Sequence, residues 1–383
     1  MKIGVNGRFL TKLYTGIGQH TYHLFKTLAE KNPLDLFVIV VPERVNLKFG
    51  NNVEIFLVPE SFPGTDGMKK TYWEQRQVPR FLLQQKVDLL HFPYPGNPWR
   101  RFKKPVCVTV HDTIPWTLSA YRNSVLTRLY QDKARKAVKR ARHVFTVSKT
   151  SQEEIIEICK VNPEKISISY NAPAPEFFKT ATQEQKDSVL RHYNLEKNRP
   201  FFLYIGGYDE RKNVSTLVRV FLEKIAPFYE VDLVLAGGKL HQSPLYESYD
   251  KLTNPNQKGS VKLKGKLVRT GFVDQEDLPA LYQSSFAFVH LSEKEGCNLP
   301  VLEAAVSKTP LIISDIAVHK EMMGESALYL NPHDEDRLAH IMASILIDPY
   351  NYQKQKQRIQ NYVCPFSWEK TAEDVMAVYK KLV

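Results

Sequence analysis

The stretch Phe286–Val306, FAFVHLSEKEGCNLPVLEAAV, runs an apolar segment, a polar loop and a helical apolar pattern together. Phe286 to Leu291 reads as a buried strand. Pro300 to Val306 opens a helix, with Asn298 as its cap and Pro300 pre-set for the first turn. Such a helix start offers a diphosphate the backbone N–H groups of Gly296, Asn298 and Leu299 and the positive end of the helix dipole. Glu295 and Glu303 offer only acceptors, which suit sugar and ribose hydroxyls. Eight positions separate the two acids. On an unbroken helix they would sit slightly over two turns apart, but with a loop between them one can lie below and the other beside a single ligand. The competing reading is that Glu303 merely favours the helix N-terminus and Glu295 is solvated.

The same alternation of strand and helix extends along the chain. Lys2 to Asn6, Gly18 to Glu30, Asp35 to Val41, Val53 to Val58, Trp73 to Gln85, Asp88 to Phe92, Val106 to His111 and His143 to Val147 follow it in the first half. A second series begins at Phe201 to Ile205. It continues through Val231 to Ala236, Val268 to Phe272, Phe286 to Leu291, Leu311 to Ser314 and Ala327 to Leu330. Each series is the pattern of an α/β, doubly wound parallel sheet. Two such sheets imply a cleft, with domains expected at 1–170 and 201–365. Segment 171–200, which begins Asn171-Ala172-Pro173-Ala174-Pro175 and continues as a polar helical stretch, reads as the hinge. Ligands of open α/β sheets bind beyond the carboxyl ends of strands, so chemistry is expected in the loops after Asn6, His111, Ile205, Phe272 and Leu291.

Length and composition fit this reading. A chain of 383 residues suggests two domains or three, and 43% hydrophobic content supplies ordinary cores. No apolar run reaches the roughly 18 residues of a membrane span. Met1 to Asn6 goes straight into a strand rather than a signal peptide, so cytoplasmic residence is the expectation. Cys107, Cys159, Cys297 and Cys364 lie far apart without a C-x-x-C spacing, which indicates neither a zinc site nor a disulfide framework. The net charge of +12 points to anionic partners.

The spacing E-x7-E, written here as EGCNLPVLEAA, resembles the donor-binding motif of the family-4 retaining glycosyltransferases. The resemblance extends through TGIGQHTYHL, VTVHDTIPW, HVFTVSKTSQEEI, YIGGYDERKN, TGFVDQEDLPALYQSS and FSWEKTAEDVMAVY, in the order that family shows. It implies a GT-B fold, two facing Rossmann-like domains with a cleft between them, with 366–383 a C-terminal helix crossing back to the N-terminal domain. The implied activity is metal-independent transfer of a hexose from a nucleoside diphosphate sugar to a hydroxyl acceptor, with retention. No metal and no cofactor is expected. The TGIGQHTYHL, HDTIP and ERKN forms look most like bacterial mannosyltransferases of surface polysaccharide assembly, which makes GDP-mannose the first donor and a UDP-hexose the second.

Site residues follow from both sources. Arg211 and Lys212, beyond the strand Phe201 to Ile205, are placed to neutralise a departing diphosphate, or else form a solvated surface pair. The family's GR-x4-KN segment supports Lys212 as the phosphate ligand. Its arginine position is occupied by Gly207, for which Arg211 is the candidate substitute. His111, at the end of a β-branched run, is either a packed residue or, as the resemblance implies, close to the reacting sugar. Gly16 and Gly18 open a helix and permit close approach of backbone to a phosphate or sugar. They do not complete a dinucleotide fingerprint, because Thr21 stands where a third glycine would be needed, although Glu43 keeps a dehydrogenase reading open. Gly271, Phe272 and Val273, with Leu278, Leu281 and Tyr282, match the segment that packs on the nucleotide base, and an ordinary core explains the last three equally well. Ser148 and Asn171 are expected to face the cleft. By resemblance Glu295 holds sugar hydroxyls, Glu303 the ribose, and Gly296, Cys297, Asn298 and Leu299 the diphosphate.

Two features stand apart. Asp334-Glu335-Asp336 has the spacing of a metal-binding D-x-D, but between Asn331-Pro332-His333 and the pattern Arg337 to Ile345 it reads as a helix cap with acids in the first turn. From Arg122 to Arg142 eight cations face a single acid, Asp132. Apolar residues Val125, Leu126, Leu129, Tyr130, Ala134, Ala137, Val138 and Ala141 recur at helical spacing, giving a stripe assigned to the core and a basic face. That face is either solvated or meets anionic lipid. The expected partners are therefore a nucleoside diphosphate sugar, a glycan or lipid-linked acceptor and the anionic inner face of a membrane, with no nucleic acid. A sugar-nucleotide epimerase or dehydrogenase and a non-catalytic module that binds anionic surfaces are the alternatives.

Overall fold

The computed structural model describes residues 1–238 and 263–383. The chain forms two compact units: Met1–Ala172 together with Phe366–Val383, and Pro173–Pro365.

The first unit holds a seven-stranded sheet, and every strand pairing in it is parallel. Its strands are β1 (Lys2–Asn6), β2 (Leu36–Val41), β3 (Val53–Leu57), β4 (Leu89–Phe92), β5 (Val106–Val110), β6 (His143–Thr146) and β7 (Ile166–Ile168), in the order β3-β2-β1-β4-β5-β6-β7. The central strands are buried on both faces, so β2 and β5 read as near-continuous apolar runs rather than alternating ones. The C-terminal helix Trp368–Leu382 closes one face. Trp368, Ala372, Val375, Met376 and Tyr379 recur at helical period and pack with Ile3, Val5, Leu24 and Leu28. Thr371 donates to the Tyr170 carbonyl at 2.7 Å, and Tyr379 bonds the buried His91.

The second unit holds a six-stranded parallel sheet of β8 (Phe201–Ile205), β9 (Asp232–Ala236), β10 (Leu267–Gly271), β11 (Ala287–His290), β12 (Leu311–Ser314) and β13 (Leu328–Leu330). The order is β10-β9-β8-β11-β12-β13. Phe202, Tyr204, Leu233, Leu235, Val289 and Ile312 meet Leu217, Phe221, Leu338 and Met342 from the covering helices. The sheet order places the switch point between β8 and β11, so the loops that leave these neighbouring strands turn to opposite faces and open a ligand-sized gap.

The structure corrects several expectations. Segment 171–200 is not a free hinge. The division falls between Ala172 and Pro173, and the polar stretch becomes the helix Gln183–His192, closed by a Thr182–Gln185 capping box. That helix is tied into the second unit by Tyr193, whose hydroxyl donates to Asp277 at 2.9 Å. Strand β7 lies where no strand was expected, because three residues at a sheet edge leave almost no periodic signal. The helix Val125–Arg140 buries only Gln131, Ala134, Ala137 and Val138, while Val125, Leu126 and Leu129 are 71%, 78% and 53% exposed. The apolar stripe therefore serves the core only in its second half. Asp334 does cap the helix Glu335–Ile347, accepting from the Arg337 N–H at 2.9 Å. Glu335 and Asp336 are paired with Arg219 and Lys224.

Candidate functional site

In the second unit, the loop after β8 and the loop after β11 run side by side. The Glu293 N–H donates to the Arg211 carbonyl at 2.8 Å, and the Arg211 guanidinium donates to the Lys294 carbonyl at 2.9 Å. This clamp brings Glu295 against two cations: Arg211 at 3.0 Å and Lys212 in a short charge-assisted bond. Ser292 donates to the same carboxylate at 2.7 Å, and all three contacts fall on Oε1. The Glu295 side chain is 8% exposed. Burial would raise its pKa, but the charges of Lys212 and Arg211 outweigh that and hold it well below the usual carboxylate range. The cluster is a fixed anion between two cations with a net charge of +1, and an ammonium that gives one N–H to Glu295 retains two more.

Asn298 sits at the start of the helix Leu299–Val306 in the left-handed region, φ 68°, which asparagine tolerates better than most residues. It does not cap the helix through its side chain. Its amide instead reaches His290 Nδ1 at 3.1 Å and His319 Nε2 at 2.8 Å, while His319 Nδ1 bonds the Ser314 carbonyl at 2.9 Å. Burial pushes His319 down to about 4 and His290 well below its ordinary value, so both rings stay neutral. Pro300 has no N–H, Val301 donates back to the Asn298 carbonyl, and Gly296 and Cys297 already interact within the protein.

Glu303 lies one turn into this helix, 8% exposed, and accepts a bond from the Tyr282 hydroxyl at 3.1 Å. Burial raises it to about 7, opposed by the Tyr282 bond and aided by Glu176. Leu278, Leu281 and Tyr282 are core, whereas Phe272 at the end of β10 is 61% exposed beside Gly271, φ 71°. Val273 is buried. Gly207 accepts a bond from the buried Tyr204 hydroxyl, which ties the first turn of the β8 loop to its own strand.

In the first unit, Gly16 and Gly18 open the helix Gly16–Lys31 as two different kinds of glycine. A Cβ at Gly16 would meet nothing within 4 Å. At Gly18 it would stand 2.3 Å from the Lys12 carbonyl oxygen, and the Gly18 N–H is already taken by Thr15 at 3.1 Å. Close approach at Gly18 is therefore to the chain's own preceding turn rather than to a ligand. Gly18→Ala is expected to cost roughly 1–3 kcal/mol through overpacking, measured by urea unfolding, while Gly16→Ala leaves stability nearly unchanged.

His111 is held by a backbone carbonyl. Its Nε2 bonds the Pro93 carbonyl at 2.9 Å, and burial brings it to about 4. Its ring meets His20 edge-on at 4.7 Å, and His20 Nδ1 bonds Asn171 Oδ1 at 2.7 Å. Asn171 thus fixes the tautomer of a buried histidine rather than facing open space, and Ser148 is likewise internal, capping the helix Lys149–Cys159 through the Ser151 N–H. His20 was not singled out from the sequence. The signal was the pair His20 and His23 on one helix, and Trp368 packs against both rings.

Residues 185–362 match the family described as "Glycosyl transferases group 1", and residues 14–176 match "Glycosyltransferase Family 4". The chain is 27% identical over 381 residues to O-antigen chain mannosyltransferase B of Escherichia coli, covering 96% of both chains. It is 26% identical to O-antigen chain mannosyltransferase RfbU of Salmonella typhimurium, over 67% of this chain and 68% of that one. Among solved structures it is similar to Anabaena HepE in complex with UDP and glucose. The TM-score is 0.72 at 13% identity, with 100% of this chain and 99% of that chain covered.

Proposed function

Because the chain belongs to the family-4 glycosyltransferases, with two Rossmann-like units of the GT-B class, we propose that it transfers mannose from GDP-mannose to a hydroxyl of a growing surface polysaccharide. The observation that carries the reading is the cluster of Lys212, Arg211 and Glu295 at the switch point of the second sheet, next to the helix that bears Glu303. The names of the O-antigen relatives support mannose as the sugar.

In this reading the diphosphate lies over Lys212 and Arg211, with the dipole of the helix Leu299–Val306 adding positive potential. Glu295 holds the two cations in place through Oε1 and presents Oε2 to the sugar hydroxyls. Glu303 accepts from the ribose. Phe272, exposed at the end of β10, packs on the base. The bond from the anomeric carbon to the phosphate oxygen breaks, and the acceptor oxygen bonds to that carbon on the same face. The acceptor's proton passes to the leaving phosphate oxygen. No side chain is assigned as nucleophile, and no metal is assigned a step, because two cations take the charge that develops on the leaving group.

The test is thermal unfolding with GDP-mannose, UDP-glucose and ADP-glucose, followed by mass detection of hexose added to lipid-linked and soluble glycans. GDP-mannose is expected to raise the unfolding midpoint and to give product. A response confined to UDP-glucose overturns the donor, and a response to none overturns the reading.

A further inference from the structure

Within the first unit, the helix Asp66–Tyr72, the segment Pro98–Phe102 and the helix Val125–Arg140 enclose a groove of about 1290 Å³, larger than the roughly 300–1,000 Å³ of a typical small-molecule site. Its lining is of two kinds. Met68, Tyr72, Trp99, Phe102, Leu126 and Leu129 make it apolar, and four of these are unusually open for large hydrophobic side chains: Met68 at 49%, Tyr72 at 38%, and Leu126 and Leu129 as given above. Around them stand seven cations and, among the described residues that line the groove, no carboxylate. Lys70 answers the buried Glu74 at 3.7 Å, and Lys133 lies over the Trp99 ring at 4.8 Å. Arg76 and Lys136 are exposed. The helix Val125–Arg140, ~24 Å long at 1.5 Å per residue, runs its apolar first half and its basic second half along the same trough.

A core does not need exposed leucines, and a solvated basic face does not need an apolar trough. The combination is complementary to a hydrocarbon chain that carries an anionic head. We propose that this groove binds a phosphate-headed lipid of an anionic membrane, its chain against Leu126, Leu129 and Met68 and its phosphate among Arg76, Lys133 and Lys136. The site lies wholly in the first unit and is independent of nucleotide-sugar binding, so failure of either proposal leaves the other standing.

The experiment uses the full chain and vesicles of phosphatidylcholine, alone or doped with phosphatidic acid. Sedimentation with the doped vesicles only is expected. Leu126→Glu/Leu129→Glu and Arg76→Glu/Lys136→Glu are each expected to weaken it roughly tenfold or more, with the unfolding midpoint unchanged because all four side chains are exposed. Dodecyl phosphate with a brominated chain is expected to quench tryptophan fluorescence in the wild type and to lose most of that quenching in Trp99→Phe. Equal binding to both vesicle types overturns the proposal. So does an apolar double variant that binds as the wild type does, since that is adsorption by charge alone, and so does inorganic phosphate that displaces the protein as well as dodecyl phosphate does.

Discussion

Lys212→Ala is expected to lower kcat by roughly 10²–10³, the range seen when one preorganised group that meets developing charge is removed. Lys212 is nearly buried, and its ammonium is held on Glu295 before any ligand arrives, so no reorganisation is needed when the phosphate leaves. In the proposed reaction the contact of Lys212 with the diphosphate strengthens as the bond to the sugar breaks, so kcat is expected to fall more than KM rises. A structural cost accompanies the change. Removing one partner of a buried pair leaves Glu295 with Arg211 alone, and such truncations destabilise by about 3–5 kcal/mol. Rates are therefore compared where circular dichroism shows both proteins folded. Lys212→Arg separates the two effects: it keeps the charge and is expected to recover stability more than turnover. A kcat equal to the wild type's would remove Lys212 from the reaction.

Glu303→Gln is expected to change the dependence of stability on pH. The ordinary glutamate value is 4.5, and burial in the second unit raises Glu303 to about 7. Between these values the folded protein keeps a proton that the unfolded chain has released. Stability from this group is thus full below about pH 4.5, falls as pH rises, and is lost above about pH 7. The difference amounts to roughly 3 kcal/mol at 1.36 kcal/mol per unit. Glutamine is neutral throughout, so the variant should lack this decline and be the more stable protein at about pH 8. Urea unfolding at about pH 5 and about pH 8 measures it. On the proposed contact with the ribose, the same titration is expected to set nucleotide affinity. A ribose diol donates to the ionised carboxylate, so binding of GDP is expected to tighten from about pH 6 to about pH 8 in the wild type and to stay flat in Glu303→Gln. A parallel pH profile in the two proteins would contradict the assignment.

Most of the architecture was legible because buried parallel strands leave strong marks. Phe201–Ile205 and Leu311–Ser314 run as apolar stretches with loops at either end, and their bounds agree with the reading of the sequence. The three-residue β7 did not, since so short an edge strand has no alternation to detect. The helix Val125–Arg140 shows a different limit. Its apolar spacing is regular from end to end, but periodicity records which residues share a face and not whether the fold covers that face. The sequence offered Glu295, Arg211 and Lys212 as candidates without showing that they meet. That Glu295, Arg211 and Lys212 meet depends on β8 and β11 being neighbours, which only the sheet order decides. That Asn298 turns inward to two histidines depends on a left-handed backbone, which its residue type permits without requiring. Gly16 and Gly18 look alike in the sequence and differ only in what stands beyond each Cα.

The most direct measurement of the central claim is amide hydrogen exchange with and without GDP-mannose. Protection is expected in the loops 206–213 and 291–298, at 271–273 and in the first turns of the helix Leu299–Val306, and it should be lost in Lys212→Ala. Unchanged exchange in these four segments, with the nucleotide sugar bound, would place the site elsewhere and contradict the account.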